Sequence, residues 1–169
     1  LFSMVIFFRK GVFSKAKAKV ILSNTAQKCI STTITIVFLL NMAVIMMDSG
    51  MINTIAEALV SLTGDLYPLA APVIGLLGAF ITGSNTNSNV IFGYLQEAAA
   101  SSIGMSAAIM CAAQSIGASI GCSIGPTTVS LGATAAQIQG KESMIYRKTL
   151  VPILITATLL GIMNFLIIR

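Results

Sequence analysis

Ala98 to Gly140 is forty-three consecutive residues without a charged side chain, and Leu66 to Gln96 is another thirty-one. As unbroken helices they would measure about 64 and 46 Å at roughly 1.5 Å per residue, against a hydrocarbon core of about 30 Å. Each run must therefore be interrupted, and neither has the charge to form the surface of a soluble domain. Only 9% of the 169 residues are charged, where a soluble domain carries about a quarter. The chain reads as an all-α integral membrane protein, which excludes soluble enzymes, nucleic-acid readers and secreted disulfide scaffolds.

The few charges are placed as a membrane protein places them. Of ten lysines and arginines, six lie between Arg9 and Lys28, and the others are Lys141, Arg147, Lys148 and Arg169. Two basic clusters flanking uncharged runs are the pattern of cytoplasmic loops, so the expected surroundings are a lipid bilayer and not nucleic acid. Cys29, Cys111 and Cys122 are widely spaced and histidine is absent, so neither a disulfide framework nor a metal site is expected, and no cofactor. The chain opens inside an apolar run, Leu1 to Phe8, which reads as the end of a span in the C-terminal part of a longer polypeptide.

The whole of 1–169 divides as one membrane region. After the span end at 1–8 comes a basic cytoplasmic connector, 9–28, in which Phe13, Val20 and Ile21 give a second reading as an amphipathic surface helix. A span follows at 29–47, then an interfacial segment at 48–66. The thirty-one-residue run is broken by Thr82, Gly83, Ser84, Asn85, Thr86, Asn87, Ser88 and Asn89, which favour turns and caps over continued helix. Its arms are too short to cross comfortably, so 67–100 is expected as a re-entrant hairpin with its polar tip at depth. Such backbone is tolerated there only when buried in protein or lining a cavity. The forty-three-residue run is broken between Gly121 and Ser130, where Pro126 lacks a donor and Gly121 and Gly125 loosen the chain, so 103–138 reads as a broken span. A cytoplasmic loop at 139–148 and a last span at 149–168 complete the chain.

Gly121-Cys122-Ser123-Ile124-Gly125 matches the serine-hydrolase pattern, but that elbow needs a histidine base, and the chain has none. No catalytic residue is assigned and an enzyme is not expected. Ala113, Gly117, Gly121 and Gly125 repeat every four residues and form a face along which another backbone can approach closely, here the hairpin. The tip is uniformly neutral. Ser84, Asn85, Thr86, Ser88 and Asn89 can replace the hydration of a small polar ion without a fixed charge in a low-dielectric site. Two half-helix N-termini, near Ser88 and Asn89 and near Pro126 to Thr128, offer free N–H groups and a positive dipole end to a carboxylate. Ser123, Thr127 and Thr128 are expected to face the tip, with Gly83, Gly121, Gly125 and Pro126 shaping the backbone. This is the arrangement of a secondary transporter with a small-anion site.

The runs G-A-F-I-T-G-S-N-T-N-S-N-V-I-F from Gly78 to Phe92, L-Q-E-A-A-A from Leu95 to Ala100 and G-K-E-S-M-I-Y-R-K-T from Gly140 to Thr149 resemble the C-terminal region of the L-lactate permease family. The resemblance implies proton-coupled uptake of lactate or glycolate, a small 2-hydroxycarboxylate, with the N-terminal half of the permease as a missing partner. The Ser84-Asn85-Thr86 triplet is also similar to hairpin tips of divalent-anion:sodium symporters, which implies the second half of an inverted-repeat, elevator-like fold and admits sodium as the coupling ion. Some family members carry an acid at the position of Asn85 and a lysine at that of Cys122, so the two neutral positions here are expected to be neighbours. The carboxyl candidates for a coupled proton are Glu97 and Asp48. A sodium-coupled carboxylate symporter and a non-transporting scaffold or truncated remnant are the alternatives, and the expected location is the plasma or inner membrane, crossed several times.

Overall fold

The computed structural model describes residues 15–168, with the side chains of 15 and 16 left aside. The expected span end at 1–8, the first part of the basic connector with Phe13, and the terminal Arg169 lie outside the described residues. All the described elements are helices. In chain order they are α1 (Lys15–Asp48), α2 (Met51–Thr63), a 3-10 turn (Gly64–Leu66), α3 (Tyr67–Thr82), α4 (Asn85–Ser102), α5 (Ala107–Ser123), α6 (Pro126–Ala135) and α7 (Glu142–Ile168). Three stretches are long and apolar enough to cross a membrane, and α5 with α6, bent by 40° at their junction, supplies a fourth if the pair is one span. The described residues are all-helical, with several apolar helices compatible with a membrane protein.

α1 runs without a break through residues 15–28, expected as a connector, and through the expected span at 29–47. Its exposed side chains include Ile30, Ile34, Phe38 and Ile45, an apolar surface that only lipid or other protein can cover. One compact unit ends at Phe38 and a second begins at Leu39.

The second unit is built around the α3–α4 hairpin. Counted together, Met51–Thr82 is 32 residues and passes as a span on length and composition. However, Gly64 stands at φ 54 and ψ −135 and breaks the run. Ile52 and Ala56 of α2 share one core with Leu95, Ala99 and Ala100 of α4 and with Tyr67 and Ala71 of α3. Ile52 lies fifteen residues ahead of Tyr67 in sequence, so α2 lies beside the second half of α4 instead of extending α3 outward.

α3 is pinned against two other helices by close contacts at glycines. A Cβ added at Gly117 would fall on the carbonyl of Pro72, and one at Gly121 on the carbonyl of Leu76; conversely, one at Gly75 would fall on the carbonyl of Gln114. The small-residue face of α5 therefore carries the first arm of the hairpin with the two backbones in contact. A Cβ at Gly161 of α7 would likewise come within 3.0 Å of the Leu69 carbonyl oxygen. Pro72 explains a further link. It has no N–H to give to the carbonyl four residues earlier, and the Pro68 oxygen takes a hydrogen bond from Asn164 Nδ2 of α7 instead, at 2.7 Å. Replacing Asn164 with leucine is expected to cost about 2 kcal/mol, because a buried carbonyl loses its partner. Thermal unfolding of the detergent-solubilised protein checks this, and an unchanged midpoint contradicts it.

Candidate functional site

Both interruptions are shorter than the composition of their segments leads one to expect. Only Gly83 and Ser84 separate α3 from α4, and only Ile124 and Gly125 separate α5 from α6. Gly83 ends α3 in the left-handed region, φ 67, with its N–H bonded to the Ala79 carbonyl. Ser84 is extended and its Oγ accepts from Asn87 N–H at 3.3 Å, a serine N-cap. The asparagines that read as turn formers are the first turns of α4, because a cap lets polar residues start a helix that they would not propagate. The N-terminus of α4 is therefore at Asn85, one turn ahead of the position expected from the sequence. Pro126 opens α6 as its first residue after Gly125, the place where a missing N–H is harmless.

The two interruptions lie against each other. A Cβ at Gly83 would stand 2.8 Å from Thr127 Oγ1, and one at Gly125 would stand 3.3 Å from the Gly83 Cα. Cys122 Sγ donates to the Gly83 carbonyl at 3.4 Å, and Gly83 lies two residues in sequence from Asn85. The N-termini of α4 and α6 and the C-termini of α3 and α5 thus meet in one region. The helix N-termini and C-termini there present partial charges of both signs, although the Ile120, Gly121 and Cys122 carbonyls of α5 already accept hydrogen bonds.

Beyond the tip, α4 faces α5 through a neutral polar seam. Asn85 Nδ2 donates to Ser119 Oγ at 2.7 Å. Asn89 Nδ2 donates to Asn85 Oδ1 at 2.9 Å and to Ser115 Oγ at 3.0 Å. Asn89 Oδ1 is buried and has no partner, the one such side-chain atom among the described residues. Ser115 and Ser119 were missed in the sequence because each is unremarkable alone; their spacing of four along α5 matches that of Asn85 and Asn89 along α4, and that shared interval was the available signal.

The other expected site residues divide. Thr127 faces Gly83, as above. Thr86 is exposed at the start of α4. Ser88 is fully buried and turned away from the tip, its Oγ donating to the Gly75 carbonyl at 3.1 Å. Ser123 Oγ bonds the Ile120 carbonyl at 2.6 Å, and Thr128 Oγ1 bonds the Cys122 carbonyl at 2.9 Å, across the break. Glu97 lies three turns down α4 from Asn85, about 18 Å away along the axis. It lines a cavity of about 230 Å³ with Met47, Ile52, Asn53, Tyr94 and Ala98. Asp48 ends α1. Neither carboxyl is brought to the tip. Among the described residues no group of three histidine, cysteine, aspartate or glutamate side chains is placed to hold a metal ion.

Comparison with known proteins places these features in a family. The family model for L-lactate permease matches residues 1–169. Over 146 residues, 86% of this chain, it is 36% identical to the L-lactate permease of Bacillus subtilis (strain 168), of which it covers 26%. It is 49% identical over 85 residues to the L-lactate permease of Streptococcus iniae, covering 50% of this chain and 18% of that protein. The glycolate permease GlcA of Escherichia coli (strain K12) is 38% identical over 118 residues, 70% of this chain and 21% of that protein. The chain therefore spans about a quarter or less of the length of these relatives. No solved structure matches it.

Proposed function

The chain belongs to the L-lactate permease family, a family of transporters and not of enzymes, and from that premise we propose that it forms the substrate-binding part of a secondary transporter importing L-lactate, glycolate or a similar small 2-hydroxycarboxylate with a proton. The observation that carries the proposal is the contact of Gly83 with Cys122, Gly125 and Thr127, which joins two helix N-termini where, among the described residues, no charged side chain is in contact. A carboxylate taken up there is held by the first N–H groups of α4 and α6, as discontinuous helices hold anions in other transporters. Ser84, Asn85, Thr86, Asn89, Thr127 and Thr128 supply side-chain contacts, joined by Ser115 and Ser119. The unpaired Asn89 Oδ1 suits the hydroxyl of a 2-hydroxy acid, a donor it reaches once the α4–α5 seam shifts. Ser88, Ser123 and the glycines around the two breaks hold the backbone in shape.

The hairpin in this reading is re-entrant, and α5 with α6 is one broken span. The chain acts as the second half of an inverted repeat that moves in elevator fashion, completed by the N-terminal part of the permease in a multi-pass plasma or inner membrane protein. Glu97, in its cavity beside Tyr94 and Asn53, is the first candidate to carry the proton, and Asp48 the second. A second reading, sodium coupling, draws on the absence of a carboxyl at the tip and on the converging C-termini of α3 and α5, whose carbonyls are ligands for a small cation.

The test is labelled L-lactate uptake by the complete gene product in proteoliposomes under an inward proton gradient. Asn85→Ala and Thr127→Ala are each expected to lower uptake about tenfold or more, since a charge-bearing group loses a hydrogen bond in a water-poor site. Unchanged uptake in both correctly inserted variants contradicts the site. Uptake that follows a sodium gradient and ignores the proton gradient selects the second reading.

A further inference from the structure

Four polar side chains that the proposed site does not use are buried together between α3, α4 and α5. Tyr67, Gln96 and Ser88 are 0% exposed and Gln114 is 1% exposed. They form a single chain of hydrogen bonds. Tyr67 OH donates to Gln96 Oε1 at 3.0 Å, and Gln96 Nε2 donates to Gln114 Oε1 at 3.1 Å. Gln114 Nε2 donates to the Ser88 carbonyl at 3.3 Å and to Ser88 Oγ at 3.4 Å. Ser88 Oγ closes the circuit on the Gly75 carbonyl at 3.1 Å. The path leaves α3, crosses α4 to α5, and returns through α4 to α3.

The sense of this chain is forced. The backbone carbonyl of Ser88 can only accept, so Gln114 must present its amide nitrogen there and its oxygen to Gln96. Gln96 must then present its own oxygen to Tyr67, whose hydroxyl must donate. Reversing either amide sets two acceptors or two donors face to face in a medium with no water to separate them. The glycine contacts between α3 and α5 fix how close the helices come. The directional bonds fix how each is rotated and how far it has slid, because a slide of α5 against α4 by one residue, about 1.5 Å, displaces the links of Gln114 to both Gln96 and Ser88.

We infer that Gln114 is a positioning residue for the tip, which sets the register of α4 against α5 and so places Asn85 opposite Ser119 and Asn89 opposite Ser115. Ser88 is the link that transmits this, since it lies one turn into α4 from Asn85. The inference rests on the reading of tip and break as the binding site. It assigns Gln114 no contact with substrate.

The experiment uses the complete gene product with Cys122 as its sole cysteine, reconstituted in proteoliposomes. Three proteins are compared: the parent, Tyr67→Phe, and the triple variant Tyr67→Phe/Gln96→Leu/Gln114→Leu. The triple variant leaves no relay group unpaired, because Ser88 Oγ keeps Gly75 and apolar groups of similar shape replace both amides. It should fold as the parent does. The expected result is a KM for L-lactate raised about tenfold in the triple variant with Vmax per folded molecule held within about twofold, a small misplacement of binding groups being costly. Tyr67→Phe is expected to raise KM about threefold, as loss of one terminal hydrogen bond. In both variants a water-soluble maleimide should label Cys122, which touches the tip at Gly83, faster than in the parent. Parental KM and parental labelling in both variants overturn the inference and leave the relay a purely structural feature. If the parent itself takes up no hydroxycarboxylate, the functional proposal fails, and the labelling rates still decide the role of the relay.

Discussion

Alanine at Gly117 or Gly121 will leave little folded protein in the membrane, although alanine is the better helix former by about 1 kcal/mol. At each position the new methyl group would coincide with a backbone carbonyl of α3, that of Pro72 or of Leu76. A flexible side chain could turn aside, but a carbonyl within a helix cannot move without its whole helix. α3 is also held by Gly161 and Asn164 of α7, so a shift away from α5 would disturb a second interface. Overpacking of this kind costs about 3 kcal/mol or more, a large part of the stability of any domain. The control is Gly132→Ala on α6, where an added Cβ meets nothing within 4 Å and propensity alone should decide. Size-exclusion profiles of the solubilised variants check the contrast: a collapsed peak for Gly117→Ala and Gly121→Ala, a monodisperse one for Gly132→Ala. Equal profiles for all three would refute the close packing of α3 on α5.

The second large effect is on activity and not on folding. Gly83→Ala is expected to abolish uptake, a loss of about a hundredfold, since misplacement by an ångström has that scale, while the protein remains monodisperse. Two costs act at Gly83. Its φ of 67 lies in the left-handed region, where a Cβ costs about 1–2 kcal/mol. The Cβ also stands 2.8 Å from Thr127 Oγ1 and wedges the tip away from the break. Gly104, at φ 68, shares the first cost without the second, since nothing lies within 4 Å of its added Cβ. Gly104→Ala should therefore keep its uptake with a similar fall in stability. If the two variants lose uptake alike, backbone strain is responsible and the contact between Gly83 and Thr127 has no special part in transport.

The membrane character and the approximate places where helices fail were legible because they depend on local composition: charge-free runs too long for one crossing, a polar cluster after Ile81, and Pro126 among glycines. The extent of the breaks was not legible. Eight turn-forming residues suggested an open loop, yet the Ser84 cap lets Asn85 to Asn89 begin a helix, and the chain folds back over Gly83 and Ser84 alone. The stripe from Ala113 to Gly125 announced a close backbone neighbour, and its partner is α3, which returns the favour through Gly75. Links that join distant positions left weaker traces. The absence of an N–H at Pro72 implies an unpaired carbonyl at Pro68, but nothing local says that Asn164, 96 residues away, supplies the donor. Gln96 and Gln114 were visible only as polar residues inside uncharged runs. Their meeting depends on the pairing of three helices, which no single segment encodes.

The most direct test of the account is the structure of the complete gene product with L-lactate bound. The carboxylate is expected between the two interruptions, within hydrogen-bonding distance of the first N–H groups of α4 and α6, near Asn85, Thr86, Thr127 and Thr128. Lactate bound elsewhere, with residues 83–86 and 124–128 in contact with each other but with no substrate beside them, would contradict it.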